Sequence, residues 1–111
     1  MKSAAAEIDP DSFDASFLFC IIGEKTRLQI MRLLMGSPRD VKSLKKALKI
    51  EATLLSKHLK ALRMCGLVLS NRKGRHITYC VNPKITRRNK KYSLFLSFCE
   101  IKLNNIGLGN R

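Results

Sequence analysis

The chain has 111 residues, of which 22 are Lys or Arg and 8 are Asp or Glu, giving a formal net charge of +14 at pH 7. That length fits one domain, and a hydrophobic content of 45% excludes wholesale disorder. The longest apolar run, Phe17 to Gly23, is far shorter than the ~20 residues a membrane span needs.

The first residues carry Glu7, Asp9, Asp11 and Asp14, where a secretory signal wants positive charge and then an apolar run, so a cytoplasmic chain with no membrane partner is expected. Residues 1–24 hold one base and five acids, a net of −4, whereas residues 25–111 hold 21 bases and three acids, a net of +18. Like charge at that density repels itself in a compact state and is relieved by a polyanion. Nucleic acid is the leading partner, ahead of a membrane surface or an acidic protein. The four cysteines, Cys20, Cys65, Cys80 and Cys99, lie 45, 15 and 19 residues apart, so none has the close spacing of a zinc or redox pair. Reduced thiols, some of them buried, are expected.

Residues 1–11 read as a loose acidic arm. Ser12 is placed as the N-cap of a first helix with Asp14 in its first turn, and Phe13, Phe17, Cys20 and Ile21 share one face of it. Phe19 and Ile22 lie elsewhere on its circumference, so this helix needs more than one neighbour. A second helix is predicted from Glu24 to Met35, with Leu28, Met31, Leu34 and Met35 inward and Lys25, Arg27 and Arg32 outward, ended by a left-handed cap at Gly36 and by Pro38. Asp40 caps a short third helix with Val41, Leu44, Ala47 and Leu48 inward. The fourth runs from Ala52 or Thr53 to Met64 or Cys65 on a Leu55, Leu59 and Leu62 stripe joined by Ala52, and Gly66 stops it. A β-hairpin follows, Leu67 to Arg72 and Arg75 to Val81 around Lys73-Gly74, with Ile77, Tyr79 and Val81 on one face, broken by Asn82-Pro83. A final helix is predicted from Thr86 or Asn89 to Leu103, with Tyr92, Phe95, Leu96, Cys99 and Leu103 on one stripe and Leu94, Phe98 and Ile101 on another. Residues 104–111 read as a frayed tail.

Both the first and the last helix are apolar around most of their circumference, and packing them into a homodimer interface covers both. The order of elements, α-α-α-α-β-β-α, is a mainly α fold with a small β-hairpin: a dimeric winged helix-turn-helix spanning residues 12–103. In that layout the second helix of the pair enters the major groove. Its outward Thr53, Ser56 and Lys57 are expected to read bases, while Lys60, Lys42, Lys45 and the wing bases Arg72, Lys73 and Arg75 hold phosphates.

The run Gly23-Glu24-Lys25-Thr26-Arg27-Leu28-Gln29-Ile30-Met31-Arg32-Leu33-Leu34 resembles the second helix of the ArsR/SmtB family of bacterial repressors. Leu54 to Val68, with its S-x-H-L-x-x-L-x-x-x-G-L-V pattern, resembles that family's recognition helix entering the first wing strand, and Arg72 to Tyr79 resembles its wing; the similarity covers about residues 13–100. The resemblance implies a homodimeric, site-specific DNA-binding transcriptional repressor on a palindromic operator, joined through its first and last helices. The pattern departs where the family often has Ser-Gln-x-Thr: here stand Glu51-Ala52-Thr53-Leu54, which removes the Gln that would read adenine and shifts weight to lysines and DNA shape.

Neither usual metal site of the family is carried over. The helix at Asp40 to Ala47 has no thiol or imidazole, and Asn89 to Leu103 has no His and a single acid, Glu100, so no metal and no cofactor are expected. Cys20 and Cys99 have two readings: a regulatory thiol pair, Cys99 lying where some family members carry a sensing thiol, or packed interface thiols. His58 reads as a helix-packing or phosphate-contacting residue and His76 as a solvated or phosphate-side group. The run Lys84 to Lys91 reads as a solvated charge run or as a contact for DNA or an acidic partner. No nucleophile–base set, phosphate loop or paired carboxylate points to an enzyme. Two readings stand beside the repressor, a winged-helix protein-interaction module and a sequence-blind nucleoid-type binder, and the inducer is unknown.

Overall fold

A computed structural model describes residues 9–10, 14–87, 93–96 and 99–103. Four helices, α1 Ala15–Ile22, α2 Lys25–Gly36, α3 Val41–Leu48 and α4 Ala52–Met64, pack with a wing made of β2 Val68–Lys73 and β3 His76–Val81. A two-residue strand, β1 Arg39–Asp40, precedes α3, and a 3₁₀ turn, Pro83–Ile85, precedes a second hairpin of β4 Ser93–Leu96 and β5 Cys99–Lys102.

Local chemistry sets the ends of these elements. α1 starts at Asp14, whose carboxylate accepts from the Phe17 amide at 2.8 Å and from the Ser16 hydroxyl at 2.9 Å. The Phe17 amide, and after it the Ser16 hydroxyl, hold the Asp14 carboxyl below its usual range. The stabilising cap is therefore present above the unfolded-state value and is lost as pH falls through the lowered one. Asp14 takes the capping position expected at Ser12, a residue outside those described. α2 is capped by Glu24 through the Arg27 amide, and α3 by Asp40 through the Ser43 amide. Gly36 is the last helical residue of α2 and not a left-handed cap; among the described residues the left-handed positions are Lys49, Gly66 and Gly74. α4 ends in a Schellman motif: the Leu67 amide donates to the Leu62 carbonyl and the Gly66 amide to that of Arg63, with Gly66 at φ 80°.

The core gathers Leu18 and Ile22 of α1, Ile30, Met31 and Leu34 of α2, Leu44 of α3, and Leu55, Leu59 and Leu62 of α4, closed by Leu67, Val68, Tyr79 and Val81 from the wing side. Burial of these side chains from four helices is the main stabilising term. The face of α1 is corrected: Leu18 and Ile22 point inward, while Phe17, Phe19 and Cys20 are exposed. Ala47 and Ala52, expected in the core, are exposed.

β1 pairs antiparallel with β3, Arg39 with Tyr79 and Asp40 with Thr78, giving a three-stranded sheet in the order β1-β3-β2. This strand, invisible in the sequence, ties the wing to the start of α3. Behind the wing, Asn82 is 1% exposed; its Nδ2 donates to the Gly66 carbonyl at 2.8 Å and its Oδ1 accepts from the Lys84 amide at 3.0 Å. We expect Asn82→Ala to cost about 1–3 kcal/mol in urea unfolding, because it strands the buried Gly66 carbonyl.

The predicted final helix is corrected. Ser93–Leu96 and Cys99–Lys102 are antiparallel strands, with Leu94 opposite Ile101 and Leu96 opposite Cys99. A short apolar run supports either a buried helix or a buried strand. Here five bases in Lys84 to Lys91 would have faced the positive end of a helix starting nearby, an unfavourable placement. Among the described residues no helix follows the wing to form the expected dimer interface. Residues 88–92 and 97–98, including Tyr92 and Phe98 of the predicted stripes, lie outside the described residues, as do most of the predicted arm and all of the tail. At residues 9–10, Pro10 is buried and the Asp9 carboxylate lies 4.0 Å from Lys84 Nζ.

Candidate nucleic-acid interface

α4 is amphipathic in the sense reading requires. Leu55, Leu59, Leu62 and His58 face the core, and Thr53, Ser56, Lys57 and Lys60 are exposed on one continuous helix. Leu54, in the first turn, is exposed beside Thr53 and offers an apolar surface of the kind that meets a thymine methyl. The N-cap Glu51 makes no side-chain cap bond, so the first amides of α4 keep their donors. The turn between α3 and α4 passes through Lys49 at φ 57°, ψ 46°.

α3 and β1 supply a second cationic surface. Lys42 and Lys45 are exposed on α3, as expected. Lys42 also joins Arg39 and Lys46 around an open basin of ≈ 440 Å³ that Ser43, Asp40 and Ala47 line as well. Arg39 donates from Nη1 to the Ser43 hydroxyl at 3.0 Å, and its Nε is buried without a hydrogen-bond partner among the described residues. Asp40, the one acid in the basin, is committed elsewhere: Oδ1 accepts from the Ser43 amide and Oδ2 lies 3.7 Å from His76 Nε2 on β3. Lys46 is one of the outward lysines that the sequence places on this helix, whereas Arg39 is not singled out there, because it falls in a two-residue strand with no pattern of its own.

The wing carries its cations at the tip. Arg72, Lys73 and Arg75 are exposed around Gly74, whose φ of 63° permits the tight turn, and Arg72 Nη1 donates to the Gly74 carbonyl at 3.3 Å. The nine predicted DNA contacts are thus all exposed, on three neighbouring elements. Arg27 is not outward as expected: its Nε donates to His58 Nδ1 at 3.1 Å and its Nη1 to the Ile21 carbonyl at 3.1 Å. His58 is accordingly a packing residue, 8% exposed.

The thiols are all free. Cys20 is exposed on α1, whereas Cys99 sits half-buried in β5; burial pushes the Cys99 thiol up, and does the same to Cys65 and Cys80. A raised thiol is less nucleophilic at neutral pH, which makes Cys20 the accessible member of the expected pair. Among the described residues no group of three or more His, Cys, Asp or Glu is placed to hold a metal, and no helix is long and apolar enough to cross a membrane.

A helix-turn-helix followed by a basic two-stranded wing defines a winged-helix DNA-binding domain. The family pattern of the bacterial regulatory proteins of the arsR family matches residues 24–70. The transcriptional repressor PagR of Bacillus anthracis is 30% identical, with 64% of this chain and 82% of its own covered at a TM-score of 0.56. HlyU from Vibrio cholerae is 29% identical, covering 61% of this chain and 74% of its own at 0.58. A homodimeric winged helix-turn-helix DNA-binding domain from Mycobacterium bovis is also 29% identical, covering 62% and 64% at 0.58. No curated protein sequence matches. The chain belongs to the ArsR family and is a DNA-binding transcriptional regulator.

Proposed function

We propose that this regulator is a site-specific homodimeric repressor of a palindromic operator. The observation that carries the reading is the exposure of Thr53, Ser56 and Lys57 in the first turns of α4, where a recognition helix meets base edges, between flanking cations on α3 and the wing. Lys60, Lys42, Lys45, Arg72, Lys73 and Arg75 hold the phosphates, and Arg39 and Lys46 extend that set. α1 supplies the dimer contact through Phe17 and Phe19, 44% and 49% exposed, an apolar surface that a second copy covers. The homodimeric Mycobacterium bovis relative and the repressor PagR support the assembly and the sign of regulation.

Selection of bound duplexes from a random pool, with and without thiol reductant, tests this. A palindromic consensus supports the repressor reading. A pool that returns no consensus favours a sequence-blind binder, and no salt-sensitive binding at all favours a protein-interaction module. Binding that is lost on oxidation in the wild type and kept in Cys20→Ser supports a switch at Cys20 and Cys99; binding indifferent to oxidant removes the switch and leaves packed thiols.

The basin on α3 gives a separate expectation. Arg39→Ala should weaken specific and scrambled duplexes alike and lower the salt slope by about one unit, the signature of one lost phosphate contact. An unchanged slope in a titration of affinity against salt removes Arg39 from the interface.

A further inference from the structure

We propose that Glu51 is a specificity-determining residue for DNA reading: its carboxylate accepts a hydrogen bond from the exocyclic amine of a cytosine in each half-site, and is repelled by bases that present acceptors in its place. The proposal rests on the reading role assigned to α4 above. The four helices of the described residues each begin at an acidic residue. Asp14, Glu24 and Asp40 turn their carboxylates onto an amide of their own first turn, at 2.8, 2.9 and 2.8 Å. Glu51 does not. It is exposed, and among the described residues its side chain makes neither a cap bond nor an ion pair. Its neighbours three and four positions on, Leu54 and Leu55, carry no charge to neutralise it.

Residues 25–111 hold three acids among 21 bases. Asp40 is committed to the Ser43 amide and Glu100 lies on β5, which leaves Glu51 as the uncommitted carboxylate at the start of α4. That end of a recognition helix is the part that meets base edges. A carboxylate can only accept, and the phosphates around it repel it. In the major groove guanine presents two acceptors, N7 and O6, and thymine presents O4 beside its methyl group; adenine sets the acceptor N7 beside its amine. Cytosine alone presents a donor with no acceptor of its own, the N4 amine. Glu51 is therefore accommodated at a cytosine and opposed at the other bases. Selectivity in this arrangement comes from a penalty on wrong sequences as much as from a bond to the right one. A chain of this positive charge would otherwise hold any duplex.

The sign of the effect separates Glu51 from the cations around it. Loss of a lysine or a wing arginine weakens scrambled DNA, whereas loss of Glu51 strengthens it.

The test uses the full chain at neutral pH, with a duplex recovered from the random pool and a scrambled duplex. Glu51→Ala should bind the scrambled duplex about fivefold more tightly, the relief of one exposed like-charge pair. The ratio of selected to scrambled affinity should fall about tenfold, within the range of one side-chain contact to a base edge. A second selection with this variant should return the wild-type consensus with one cytosine of each half-site no longer preferred. Changing that cytosine to guanine should weaken the wild type and leave Glu51→Ala unmoved. Glu51→Gln, neutral and carrying a donor beside its acceptor, should exchange the cytosine for adenine, whose edge offers an amine and N7. Both variants are expected to fold, since the carboxylate makes no bond within the described fold, and thermal unfolding checks this; should the alanine variant not fold, the glutamine variant carries the test. A consensus identical in wild type and Glu51→Ala overturns the proposal while leaving Lys57 as a reader. Equal tightening of both duplexes overturns it too, as repulsion without reading. So does a lowered thermal midpoint with an unmoved ratio, the result for a carboxylate kept only for the positive end of α4. A wild-type pool without a consensus overturns the reading role of α4, and this assignment with it.

Discussion

Lys57→Ala is expected to lose about 1–3 kcal/mol of binding to the selected duplex, roughly 5- to 150-fold, and to blur the preference at one position of each half-site. Lys57 is exposed one turn into α4, where a long cation reaches a guanine edge, and nothing else on that turn can replace it: Ser56 is short and Leu54 is apolar. Arg75→Ala is the matched control. Arg75 lies at the wing tip beside Gly74, where a cation meets phosphate or the minor groove, so its loss should weaken every duplex and flatten the salt dependence while leaving the consensus intact. Affinity titrations on specific and scrambled duplexes at two salt concentrations separate the two effects. Equal behaviour of both variants and the wild type would remove these roles.

The second large effect is on stability. Leu62 is fully buried at the C-terminal end of the α4 stripe, and Leu62→Ala should lower the unfolding free energy by about 2–5 kcal/mol, the lost transfer energy plus the cavity left behind. For a domain whose total stability is about 5–15 kcal/mol, that is a large share. Met64, two residues on and 59% exposed, provides the contrast: Met64→Ala should stay within about 0.5 kcal/mol. Urea unfolding read as a shift of midpoint at constant slope distinguishes them. A leucine variant as stable as the wild type would mean that the core is not arranged as described.

Where local chemistry decides, the sequence was readable. Asp40, Gly66 and Gly74 punctuate α3, α4 and the wing through a carboxylate cap and two left-handed glycines, and the Leu55, Leu59 and Leu62 period fixed the inward face of α4, hence which residues of that helix are exposed for DNA. Where distant partners decide, it was not. β1 is two residues long and exists only because Tyr79 and Thr78 offer an edge. Arg27 looked like a solvent cation because its partner, His58, is 31 residues away. On α1 every turn is apolar, so the period could not say whether Phe17 or Leu18 faces inward; α2 and α4 chose Leu18. The helix expected from Thr86 or Asn89 to Leu103 reflects the same ambiguity, since its leucines and phenylalanines fit a period of 3.6 as well as they fit a paired strand.

The pairing of β1 with β3 bears on how long a complex lasts. Because Arg39 and Asp40 pair with the wing and lead directly into α3, the hairpin tip and the helix-turn-helix are coupled, and on the proposed interface they are expected to leave a duplex together. Dissociation then becomes one event in which the groove contact and the backbone contacts are broken together, and its barrier reflects their combined energy. A wing on a slack tether would let go first and allow the protein to peel away in stages. Residence time on DNA is in this sense built into two residues of strand that make no base contact of their own.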